Sequence, residues 1–297
     1  MTPLAFVKPK SIFFGQVPVK PPLMDNLPAT PTPPPAWFEA LFWTGAWMVA
    51  HFVPAVGFAV LTLIAGANPD MDSYNHHLML CGRVLALGLG IFLLKARVGP
   101  SWKSAIHLRR PRVVHCLLAV LCLPAVVFLS AGIMGLLAGD GDGPLPTSGS
   151  LPALWYALIV FAVAPAVNEE IFHRGFLGRL LLGRYGVVVG VLFTSAIFAI
   201  VHGNIPQIVL AFIFGIVAHA IYLATRSLWV PILMHFLVNA CMQVLMRTEV
   251  LSQSFETTDV QVCIVGLVAI VATLTSLLAA LGLYRLRERE VVADLCA

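Results

Sequence analysis

The sequence predicts an all-α polytopic membrane protein, and three observations carry that reading. Of its 297 residues, 59% are hydrophobic and only 11% are charged, against about 25% charged in a soluble domain. After Trp37 come about eight apolar segments of roughly 20 residues, each long enough for a hydrocarbon layer about 30 Å thick. Basic residues recur on every second connection between these segments, the usual mark of membrane topology.

The segments lie near 37–66, 78–95, 113–138, 151–176, 186–203, 205–224, 228–246 and 260–284. The apolar period of the fourth continues past its charges to Leu182, so it reads as one long helix of about 30 residues. Ahead of them, residues 1–36 hold ten of the 21 prolines, including Pro33-Pro34-Pro35. So interrupted a stretch is expected to be an extended, disordered tail, with 37–297 as the integral membrane domain. No internal repeat stands out, which withholds support from an inverted-repeat transporter.

Lys95, Arg97, Lys103, Arg109, Arg110 and Arg112 crowd the connection between the second and third segments. Arg179 and Arg184, then Arg226, then Arg285, Arg287 and Arg289 follow, while acidic residues mark the alternate connections. The positive-inside rule then puts both termini in the cytoplasm. The expected location is a multi-pass membrane position, in the plasma membrane if the source is bacterial. The net charge of +4 is small, and basic residues at segment ends argue for a lipid bilayer as partner rather than nucleic acid. The six cysteines match no metal-ligand spacing and read as small buried hydrophobes.

The first functional candidate is Asn168-Glu169-Glu170-Ile171-Phe172-His173-Arg174-Gly175, preceded by the uncharged run Leu151 to Val167. An ionisable group at membrane depth costs roughly 2.5–3.5 kcal/mol on insertion scales unless it pairs or lines a wet cavity. Glu170 and Arg174 are four apart and can pair along one helix face. Glu169 points about 100° away from Glu170, free for another partner. His202 lies on the fifth segment, His219 on the sixth, and His235 and Asn239 share one face of the seventh.

Glu169 and His202 are 33 residues apart, with a midpoint at Tyr185-Gly186 inside a turn-like Gly183-Arg184-Tyr185-Gly186. Equal arms of an antiparallel hairpin bring the two to one depth. There Glu169 can take a proton from a water that His202 helps to hold. His235 and Asn239 can donate hydrogen bonds to an oxyanion on an attacked carbonyl. Glu170, paired with Arg174, would stay ionised and favour a more basic Glu169.

Bland alternatives stand beside each role. Glu170 and Arg174 can be a structural pair, and His202 can cap a helix beside Gly203-Asn204. His235 with Asn239 can be interhelical hydrogen-bonding glue. His219 reads as structural, His173 as a structural or supporting contact to Glu169, and His51, His76, His77, His107 and His115 as interfacial or structural.

Together these residues resemble the CAAX protease and bacteriocin-processing (CPBP or Abi) family of intramembrane endopeptidases, which includes the CAAX prenyl endopeptidases. The family motif Glu-Glu-x-x-x-Arg is met by Glu169-Glu170-Ile171-Phe172-His173-Arg174. Phe-x-x-x-His is met by Phe198 to His202, and His-x-x-x-Asn by His235 to Asn239. His173 stands where many members carry an aromatic. The resemblance covers residues 150–245 as the protease core. It implies a conical intramembrane pocket and a glutamate-dependent endopeptidase with no cofactor. Glu169 and His202 would activate the water, His235 and Asn239 would form the oxyanion hole, and Glu170 and Arg174 would support them. Its substrate would be a peptide or protein in or at the membrane, CAAX-like at its C terminus or otherwise membrane-associated.

Two rivals remain. Glu169, His202 and His235 can in principle ligate zinc with an open fourth position, although no His-Glu-x-x-His is present and Asn239 is a poor zinc ligand. A transporter, an adaptor or a bacteriocin self-immunity protein can use the same polar pocket for binding alone.

Overall fold

In lipid a backbone must satisfy its own polar groups, and an apolar chain of this kind does so as helices. A computed structural model describes residues 37–66, 71–121, 123, 124, 126 and 152–247, and every regular element among them is helical. These are α1 (Trp37–Ile64), α2 (Met71–Val98), a 3₁₀ turn (Gly99–Ser101), α3 (Trp102–Ala105), α4 (Val113–Leu121), α5 (Leu154–Ile200), α6 (Ile205–Thr225) and α7 (Trp229–Leu245). Among the described residues, four stretches are long and apolar enough to cross a membrane: α1, the run His76–Ala105, α5 and α6. The protein is therefore a helical membrane protein. The third expected segment begins as α4. The tail at 1–36 and the segment at 260–284 lie outside the described residues.

Helix α5 holds the fourth and fifth expected segments, folded back on each other. The break is Gly186, with φ 78° and ψ 176°, a combination that a residue with a Cβ adopts only under strain. The two arms, 154–185 and 187–200, pack antiparallel. A Cβ on Gly190 would come within 2.7 Å of the Leu182 Cα, and the rings of His173 and Phe198 lie 4.9 Å apart. Both pairings are centred at Tyr185-Gly186, and the same register carries Glu169 to the level of His202. The long first arm is not uniform. Leu158–Val163 and Ile171–Gly178 are wide π-helical turns around the α-helical Ala164–Glu170. Pro165 explains the first, since it lacks the N–H that a regular turn would use.

Helices α1 and α2 pack on this arm. Trp47 stacks on Phe172 with ring centres 4.6 Å apart and planes 8° from parallel. Ile106, Phe172, Phe176, Leu177 and Leu181 complete the buried core around it. Phe42, Val49, Phe52 and Val56 of α1 point outward, the lipid-facing side of a span. Where α1 and α2 meet, Gly82 lies on the backbone of His51, and a Cβ there would fall 2.0 Å from the His51 carbonyl oxygen.

A latch of hydrogen bonds to backbone carbonyls sets the start of α7. The Leu228 N–H donates to the His107 carbonyl (3.1 Å), the Ser227 hydroxyl to the Arg109 carbonyl (2.8 Å), and Arg109 Nε to the Arg226 carbonyl (2.7 Å). Arg179 Nη1 donates to the Ala105 carbonyl at 2.6 Å, adding the first arm of α5. His107 takes a left-handed φ of 52° to make this turn. Asn204 caps α6, its side-chain oxygen accepting from the Gln207 N–H at 2.9 Å.

Candidate active site

Adjacent positions on α5 send Glu169 and Glu170 in different directions, and each finds its own cation. Glu170 is fully buried. One of its oxygens, Oε1, accepts from Arg174 Nη1 at 2.8 Å and lies 2.8 Å from His235 Nδ1. The Arg174 guanidinium is also fully buried, donates to the Gly215 carbonyl (3.3 Å), and lies 4.7 Å from the centre of the Phe198 ring. This dry pair, held on the ring face of Phe198, is the arrangement that spacing predicts for Glu170 and Arg174.

Glu169 is 13% exposed. Its Oε1 lies 3.2 Å from Arg83 Nη1 of α2, and its Oε2 lies 3.9 Å from His235 Nε2. His235 thus stands between the two carboxylates, with one ring nitrogen turned to each. His202 ends the second arm of α5, its Nδ1 2.7 Å from the Phe198 carbonyl. Its ring contacts Phe198 at 4.9 Å and lies within electrostatic reach of Glu169. The Phe198 ring is also 6.2 Å from that of His235, so one aromatic spaces both imidazoles.

The structure therefore gathers Glu169, Glu170, Arg174, His202 and His235 in one place. Asn239 is half-buried one turn beyond His235 on α7, and no hydrogen bond ties it to the other five among the described residues. His173 is buried and hydrogen-bonds through Nδ1 to the main-chain carbonyl of Glu169 (3.0 Å), not to the carboxylate. His219 is buried against the Gly215 carbonyl at 3.2 Å. The expectation that Glu170 presses on the ionisation of Glu169 meets a different charge balance: Arg174 and His235 face Glu170, while Arg83 faces Glu169.

Sequence reasoning missed three contributors. Arg83 is the first. The others are His51 and Trp47 of α1, which clasp Asn168 beside the glutamates. Trp47 Nε1 donates to Asn168 Oδ1 at 3.2 Å, and Asn168 Nδ2 lies 2.9 Å from His51 Nε2. Beside the cluster, Val163, Ala166, Val167, Ile232, Leu233 and Phe236 line an apolar cavity of about 230 Å³ between α5 and α7. Among the described residues, no group of three or more His, Cys, Asp or Glu side chains is gathered to hold a metal.

Fold and site define a helical membrane protein with a buried carboxylate–imidazole centre. Residues 151–241 match the Rce1-like family, described as type II CAAX prenyl endopeptidase Rce1-like. A stretch of 112 residues is 30% identical to the "Putative membrane peptidase YdiL" of Bacillus subtilis (strain 168), covering 37% of this chain and 46% of that protein. The chain thus spans about half the length of this curated relative. The resemblance to the CAAX protease and bacteriocin-processing family holds over the segment that carries Glu169 to Asn239. No solved structure matches the chain.

Proposed function

We propose that the protein is an intramembrane endopeptidase that hydrolyses a peptide bond of a membrane-associated substrate, CAAX-like at its C terminus, using a glutamate-activated water. The observation that carries this is His235 set between Glu169 and Glu170 in a buried cluster. Glu169, with its Oε2 on the His235 side, accepts a proton from water as the oxygen attacks the carbonyl. His202 holds that water. The oxyanion that forms is met by His235 Nε2–H, in the ring protonated on both nitrogens, and by the Asn239 amide. Glu170 takes the Nδ1 hydrogen bond and carries the counter-charge. Collapse of the tetrahedral intermediate breaks the C–N bond, and the proton held by Glu169 passes to the departing amine. The apolar cavity between α5 and α7 suits an apolar portion of the substrate.

The test uses full-length protein in detergent micelles and an internally quenched peptide ending in a prenylated CAAX sequence. Wild type cleaves it, and Glu169→Gln loses about 10²–10⁴-fold in kcat while still folding, as thermal melting checks. Cleavage abolished by a strong chelator transfers the reading to a zinc enzyme. An inert wild type whose cellular function survives Glu169→Gln makes it a binding protein instead.

A further inference from the structure

We infer that Arg83 is a positioning residue for Glu169: it holds one carboxylate oxygen so that the other, charged, faces the reacting water. The inference rests on the reading of Glu169 as the base.

From Leu78 to Leu94 Arg83 is the only charged residue. A lone guanidinium at that depth is costly unless something pairs with it. The partner is Glu169, whose Oε1 is 3.2 Å from Arg83 Nη1. Both side chains are shielded, 16% and 13% exposed, so the contact is not a solvated surface pair. It is also monodentate: one guanidinium nitrogen meets one carboxylate oxygen, and Arg83 Nε is buried with no hydrogen-bond partner. Oε2 is left on the His235 side. Glu170 already has Arg174, so the site holds two carboxylates and assigns a separate guanidinium to each. Arg83 reaches this position because its neighbour Gly82 lets α2 close onto the His51 backbone. It comes from outside residues 151–241, so α2 contributes to a site whose motif residues lie within that segment.

The other charged or titratable groups facing Glu169 are His51 from α1, His173 and Glu170 from its own arm, His202 from the second arm and His235 from α7. Arg174, on the same arm as Glu169, is a permanent cation within electrostatic reach as well, but its carboxylate hydrogen bond goes to Glu170. Among the described residues, Arg83 is the permanent cation in direct contact with the Glu169 carboxylate.

Infrared difference spectroscopy and kinetics test this on full-length wild type, Arg83→Gln, Arg83→Lys, Glu169→Gln and the double variant Arg83→Gln/Glu169→Gln, each checked by thermal melting. At neutral pH, Arg83→Gln is expected to gain a protonated-carboxyl band that the double variant lacks. On the prenylated CAAX peptide its kcat should fall about ten- to a hundredfold with KM within twofold, and the acid limb of its pH profile should move to higher pH. Arg83→Lys should restore part of kcat. No new band in Arg83→Gln, or a loss of activity without one that Arg83→Lys fails to rescue, overturns the assignment. A wild type that leaves the peptide intact while Arg83→Gln shows the band removes the endopeptidase reading and retains the hold of Arg83 on Glu169.

Discussion

His235 Nδ1 lies 2.8 Å from Glu170 Oε1, on the same oxygen that accepts from Arg174. That single atom ties α7 to α5 through two buried partners. Removing one side of a buried ion pair costs about 3–5 kcal/mol, because the remaining charge is stranded. Arg174→Leu and Glu170→Gln should therefore each lower the melting temperature, since either leaves its partner buried and unbalanced. Glu170→Gln should in addition lower kcat about tenfold, since it removes the counter-charge behind the His235 ring. Thermal melting and steady-state cleavage of the two variants check both halves.

Gly82→Ala should damage a contact that no polar group can repair. Its Cβ would sit 2.0 Å from the His51 carbonyl oxygen, a backbone atom that cannot swing aside. Overpacking of this kind costs about 1–3 kcal/mol. The helices must part to relieve it, and Arg83 moves with α2. Melting should reveal the destabilisation, and the activity loss should resemble that of Arg83→Gln.

His107, in the latch beside the start of α7, gives a pH signature outside the spans. Burial, reinforced by the charges of Arg109, Arg226 and Arg179, pushes its pKa down to about 4. The folded protein thus prefers the neutral ring, while an unfolded chain takes up a proton near pH 6.5. This contribution to stability is complete above about 6.5 and is lost as the pH falls toward 4. His107→Asn, which tolerates the left-handed φ, should flatten that stretch of the Tm–pH curve. Equal slopes in wild type and variant would remove His107 as the source.

Asn239→Ala discriminates between the two readings of that residue. As an oxyanion donor, Asn239 should be worth about 10²–10³ in kcat with little effect on melting. As interhelical glue, its loss should appear in the melting temperature and leave kcat of the folded fraction intact.

Much of this architecture is legible in the residues alone, because the membrane makes polar placement expensive. The Gly183–Gly186 turn, the long fourth helix and the Glu170–Arg174 pair all follow from apolar length and helical spacing. Arg83 carries the same signal, a lone charge in an apolar run, yet it is overlooked when clusters are sought and single charges are not. The clasp of Trp47 and His51 on Asn168 is a different matter. It joins helices more than a hundred residues apart in sequence, and nothing local marks it. The wide turns of α5 are likewise hidden, since they shift the helical phase without changing composition.

The reversal at Gly186 makes the chain itself a ruler. With one glycine bending the backbone, each arm counts out the distance from the bend to its reactive group. One added residue in either arm slides that group by about 1.5 Å and swings it by about 100°. Substitution along the outward faces of this hairpin is therefore cheap, whereas a single-residue insertion or deletion would leave acid and imidazole looking past each other. Between Glu169 and His202 the outward-facing letters are thus open to change, while their number is not.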